Sequence, residues 1–100
     1  MQITNRRIDP IKLEKAAEIL KVIAHPVRLR ILELLECNEQ LTVTQLMHEL
    51  EIEQSLLSHH LSKMRDKRVL NSSRDGKHIR YQLADNKITT IFDCMENCLA

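Results

Sequence analysis

Gln54-Ser-Leu-Leu-Ser-His-His-Leu-Ser-Lys-Met-Arg65 is the stretch on which the fold turns. At about 100° per residue, Leu57, Leu61 and Met64 stack on one side of a helix, while Ser55, Ser58, His59 and Ser62 share the other. The first side is fit for a core. The second lacks the Glu and Lys that usually solubilise a helix surface and carries short hydroxyls and imidazole, with cations further along. Small side chains permit close approach to a DNA groove, and Gln, Ser and His can donate or accept hydrogen bonds at base edges. The plainer alternative is a solvated surface helix with incidental serines.

Working outward, Thr42-Val-Thr-Gln45 is a capping box, in which the Thr hydroxyl and the Gln side chain reciprocally satisfy the first free N–H groups of a helix. That helix is short, with Val43, Leu46, Met47 and Leu50 inward. Two helices joined by about four residues make a helix-turn-helix over about 42–67. Downstream, Val69 to Leu83 reads as a hairpin, a wing with Asp75-Gly76 as its two-residue turn, because both central residues of such a turn take positive φ. Ile79, Tyr81 and Leu83 alternate there with His78, Arg80 and Gln82. Upstream, Asp9 and Pro10 are N-cap and first position of a helix carrying Leu13, Ala16, Ala17, Leu20 and Ile23 at helical spacing. His25-Pro26 interrupts it, since Pro disfavours a helical residue before itself and starts a new helix comfortably. The second helix, about Pro26 to Cys37, is apolar on nearly all sides and so forms the centre of the core. Asp85 caps a last helix over about 86–99, with Ile88, Phe92, Met95 and Leu99 in a stripe. Residues 1–8 are left as an N-terminal arm. With one Gly, two Pro and two aromatic residues, the chain is expected to be mostly α with a small β-hairpin wing. The architecture is a winged helix-turn-helix of order ααααββα, one domain over 9–100.

A chain of 100 residues buries only about two-thirds of its unfolded surface, so a partner chain would add stability. Net charge is +1, which alone argues against a strongly basic nucleic-acid binder. The distribution says more. Residues 33–53 hold six acids and no Lys or Arg, a local charge of −6, whereas residues 54–80 hold seven bases against Asp66 and Asp75, a local charge of +5. A basic segment starts where the opening stretch starts, as phosphate contacts require. There is no apolar signal sequence at the N-terminus and no run of 18 apolar residues, so a cytoplasmic protein with no membrane partner is expected.

The order of elements, with Leu20-Lys-Val-Ile-Ala-His-Pro-Val-Arg-Leu-Arg-Ile-Leu32 and Gln54-Ser-Leu-Leu-Ser-His-His-Leu61, closely resembles the ArsR/SmtB family of bacterial winged-helix repressors. The likeness runs from about residue 13 to 98. Its most specific parts are Ala24-His25-Pro26 followed by Arg28-Leu29, then Ser55, Ser58-His59-His60-Leu61, and a wing ending in Tyr81. The resemblance implies a homodimer joined through its first and last helices, binding operator DNA and releasing it when an inducer binds. Departures are equally specific. Glu51 and Arg68 stand where the family commonly has Gly, and either bear a left-handed penalty of about 1 kcal/mol or adopt another turn. The family's thiolate box ELCVCDL aligns with Gln40 to Leu46, placing Thr42 and Thr44 where cysteines would be, and hydroxyls cannot replace thiolates for soft ions. Its zinc pattern on the last helix keeps Asp85, but Lys87 and Cys98 replace histidines, and the fourth position falls beyond residue 100. Neither standard metal site is expected, and no cofactor.

Cys37, Cys94 and Cys98 are an odd number in a reducing compartment, where structural disulfides are rare. Cys94 and Cys98, four apart, share one side of the last helix. Three readings stand side by side: small buried hydrophobes; a thiol switch in which Cys37 and a last-helix cysteine oxidise or form a polysulfide bridge, as in similar family members; or a three-thiolate site for arsenite or another soft ion. Among the histidines, His25 caps the second helix or lies in the dimer interface, His48 and His78 are exposed, His59 contacts base or phosphate, and His60 is a satisfied, half-buried residue.

The function this implies is a sequence-specific, homodimeric DNA-binding transcriptional repressor whose operator affinity is switched by cysteine chemistry. Gln54, Ser55, Ser58 and His59 would read the major groove, beside Ser62, while Lys63, Arg74 and Lys77 position phosphates. The alternative is a winged-helix module that binds a protein and neither DNA nor an inducer. An enzyme is not expected: a Cys-x3-Cys pair late in a helix lacks the helix N-terminus that lowers a thiol pKa, and no triad or Gly-rich phosphate loop is present.

Overall fold

A computed structural model describes residues 6–99. The N-terminal arm expected over 1–8 therefore lies mostly outside the described residues. Helix α1 spans Pro10–Ile23, with the Asp9 carboxylate accepting the Ile11 N–H at 2.8 Å and Pro10 at the first position. The chain breaks at Ala24-His25, and α2 runs Pro26–Cys37 with the His25 ring as its cap: Nδ1 accepts the Val27 N–H at 3.1 Å. The Thr42–Gln45 capping box is formed in full, at 3.1 and 2.8 Å, and opens α3, Val43–Leu50. Helix α4 is Gln54–Asp66.

Leu41–Thr42 form a two-residue strand β1, which the sequence reading did not anticipate. The wing consists of β2, Leu70–Asp75, and β3, His78–Leu83, and the sheet order is β1-β3-β2, all antiparallel. Pairing of Asp75 with His78 corrects the turn: its two central residues are Gly76 and Lys77, not Asp75 and Gly76. Gly76 has φ +60° and Lys77 has no positive φ, the pattern of a II′ turn, in which only the first central residue needs left-handed backbone. The last helix is also corrected. Asp85 caps a 3₁₀ turn at Asn86–Thr89, and the α-helix proper, α5, is Thr90–Cys98.

The core lies between α2, α3, α4 and the sheet. Ile31, Leu32 and Leu35 of α2 are buried against Leu46, Leu57, Leu61 and Met64, with Leu41, Val69, Leu70 and Tyr81 closing the sheet side. Each fully buried apolar side chain of this size contributes about 1.5–3 kcal/mol, so the register of α4 is set by its inner face. Burying α4 one step round would bring hydroxyls inward and push leucines out. Glu51 and Arg68 both take left-handed backbone, φ 53° and 59°, so these non-glycine residues bear the penalty.

Candidate nucleic-acid interface

Because Leu57, Leu61 and Met64 anchor α4, its other face has one orientation. Gln54, Ser55, Ser58, His59 and Lys63 are exposed along it, and Ser62 is half-buried. Gln54 to Leu56 make the first turn, the part of a recognition helix that reaches base edges. Glu53 stands at the N-cap and makes no side-chain cap bond, leaving the first-turn amides open. Arg74 and Lys77 sit at the tip of the wing, exposed and in no ion pair with any described residue. Arg80 differs: its guanidinium pairs with Asp75 at 3.2 Å, which offsets one of the wing's positive charges. Arg30 and Glu33 pair on the exposed side of α2, and Lys67 meets Glu18 at 3.8 Å. Lys63 and Arg65 on the last turns of α4, with Arg74 and Lys77 at the tip of the hairpin, are thus exposed cations in no ion pair with a described residue.

Two residues gain roles that spacing did not reveal. Leu56 is 47% exposed, the only large apolar side chain on the outside of α4. His60 is 4% exposed, more deeply set than the half-burial expected of it, and its Nδ1 accepts the Nε–H of Arg28 at 2.9 Å. Burial, then the neighbouring His25, Arg28 and His59, pull the His60 pKa below its ordinary value of 6.5.

Cys37, Cys94 and Cys98 are all exposed on the single chain, so its own fold buries none of them. Cys94 Sγ and Cys98 Sγ lie 3.7 Å apart on one side of α5. Thr42 and Thr44, at the thiolate-box positions, serve the start of α3, where Thr42 Oγ1 is the cap. Among the described residues no three His, Cys, Asp or Glu side chains cluster as metal ligands, and no helix is long and apolar enough to cross a membrane.

Residues 25–72 match the family described as bacterial regulatory protein, arsR family. Transcriptional repressor PagR of Bacillus anthracis is 41% identical over 87 residues, which make up 87% of each chain. The chain belongs to the ArsR family. The crystal structure of PagR superposes on this ArsR-family chain with a TM-score of 0.77 at 40% identity, covering 87% of this chain and 99% of that one. HlyU from Vibrio cholerae gives 0.80 at 29% identity, covering 89% and 96%. The antimony-specific transcriptional repressor AntR gives 0.80 at 26%, covering 95% and 85%. The winged helix is therefore a DNA-binding fold of a family of transcription regulators, not of enzymes.

Proposed function

We propose that this chain is a cytoplasmic, homodimeric repressor that reads operator DNA with α4, holds flanking phosphates with the wing, and is released by chemistry at its cysteines. The observation that carries the reading is the two-sided α4. Leu57, Leu61 and Met64 are fully buried, so Gln54, Ser55, Ser58 and His59 are held outward on a rigid element beside the free cations Lys63, Arg74 and Lys77. Leu56 adds an apolar group beside them, suited to a thymine methyl.

The dimer is supported by the exposed apolar side chains Ile11, Leu13 and Leu20 of α1, and by α5, which buries no residue within its own chain. The switch is supported by three exposed thiols, two of them 3.7 Å apart. AntR, named as antimony-specific, lends weight to a soft-ion inducer, and HlyU, whose structure is described as reduced, to an oxidative one.

Gel-shift on the DNA upstream of the protein's own gene tests both parts. Log affinity should fall linearly with log salt, with a slope of about −0.9 per phosphate contact. Ser58→Ala or His59→Ala should remove discrimination between operator and random DNA, while Lys77→Ala should weaken both about equally. Unchanged operator preference in Ser58 and His59 variants overturns the recognition-helix assignment. Run with oxidant, polysulfide and arsenite in separate lanes, the same assay names the switch, and retention of DNA in every lane removes the cysteines from it.

A further inference from the structure

Arg28 ties three elements together. Its Nη1 donates to the Val22 carbonyl at 2.8 Å, a carbonyl left open because α1 ends at Ile23, and its Nε donates to His60 Nδ1 at 2.9 Å in the middle of α4. His25, the cap of α2, has its ring centroid 4.5 Å from that of His60, and His59 follows at 6.0 Å. A guanidinium N–H has no acceptor capacity, so a ring nitrogen that receives it must carry no proton. The His60 ring is held neutral with its hydrogen on Nε2.

We propose that Arg28 and His60 are positioning residues, a latch that fixes the recognition helix against the α1–α2 turn while His60 is neutral and opens when His60 takes a proton. The proposal rests on α4 being the element that reads DNA. Protonation puts an N–H on Nδ1, facing the Arg28 N–H, and replaces a hydrogen bond by two cations in contact. Burial and the neighbouring His25, Arg28 and His59 all disfavour that proton. Arg28 also lines a cleft of about 430 Å³, together with Glu18, Lys21, Lys63, Asp66 and Lys67. Its three lysines outnumber its two carboxylates, one of which already meets Lys67, so the cleft gives the displaced guanidinium room but no net charge compensation.

The direction follows from linkage. A histidine harder to protonate in the folded than in the unfolded chain stabilises the fold fully above pH 6.5, and that contribution is lost as pH falls below it, because the unfolded chain binds the proton first. Operator affinity should fall over the same interval. His59, which the proposed function places against DNA, is left identical in both proteins compared.

Affinity for the upstream DNA of the gene is measured at pH 7.5 and 5.5, at fixed salt, for the wild type and His60→Asn. The Asn side-chain oxygen can take the Arg28 hydrogen bond and does not titrate. The wild type should weaken severalfold on acidification relative to His60→Asn, bounded by about tenfold per pH unit for one proton. Thermal midpoints of both proteins without DNA should diverge in the same direction. Equal pH dependence in the two proteins, in both readouts, overturns the latch. If neither protein binds the DNA at any pH, the operator reading fails, and the midpoints alone decide the latch. Should His60→Asn not fold, imidazole nitrogen NMR of the wild type decides: a hydrogen on Nε2 at pH 7.5 supports the latch, and one on Nδ1 overturns it.

Discussion

Leu56 shows how one side chain can be misread by pattern alone. As one of two adjacent leucines in an amphipathic helix it passes for core, yet a step of about 100° from Leu57 places it outside, 47% exposed. It shares a side of α4 with His59, three residues on. An apolar group there gains most against the only apolar feature of a base edge, the thymine C5 methyl. Replacing operator thymines one at a time by deoxyuridine should therefore weaken wild-type binding at one or two positions, by about 0.8 kcal/mol, or roughly fourfold, for each methyl lost from contact. Leu56→Ser should be indifferent to the same replacements. A wild type that tolerates every thymine-to-uracil change would show that Leu56 touches no base.

At the scale of the element, α4 is firm in its middle and weak at its start. Glu53 has N-cap backbone, φ −66° and ψ 151°, but its side chain caps nothing, so the amides of Ser55 and Leu56 lack the oxygen that Ser or Thr would offer. Its charge also faces the phosphates in the proposed complex. Glu53→Ser should stabilise the free protein by about 1 kcal/mol, slow hydrogen exchange at Ser55 and Leu56, and tighten DNA binding most at low salt. Full protection of those amides in the wild type would show that the end is already closed. What sequence disclosed here follows the same division. The α4 inner face, the Thr42–Gln45 box, the Asp9 and Asp85 caps and the alternation in β3 are local signals, and each is found in place. β1 was illegible because two residues carry no period and exist as a strand only through pairing with Tyr81 and Arg80, some forty residues away. The turn was displaced by one residue because Asp-Gly serves I′ and Gly-first serves II′, and strand register chooses between them. Arg28 and His60, 32 residues apart, meet only once α2 and α4 have packed. The nucleic-acid face was readable because its chemistry is written along one helix, whereas the latch behind it is tertiary.

The whole molecule is drawn out, 60 × 30 × 22 Å with a radius of gyration of 15.8 Å, against about 13 Å for a compact domain of 100 residues. The excess has a cause. Residues 10–18 of α1 are exposed throughout, and only Ile19, Val22 and Ile23 at its end pack on the rest of the chain. A helix of 14 residues is marginal in water unless an apolar face is covered. Yet Ile11, Leu13 and Leu20 are 62, 51 and 50% exposed, and Leu99 beyond α5 is 77% exposed. In the proposed dimer these surfaces cover one another and bring two α4 helices to successive half-sites about one turn of DNA apart. Leu13→Glu combined with Leu20→Glu should yield a monomer by light scattering. Helix content should drop by roughly the length of α1. Both positions lie far from the α2–α4 core, so the wing and helix-turn-helix should keep their amide protection. Operator affinity should fall about a hundredfold or more, since the second half-site is no longer held at high effective concentration. A wild type that remains monomeric at micromolar concentration, with α1 helical, would sink the dimer and leave the exposed stripe of α1 without a partner.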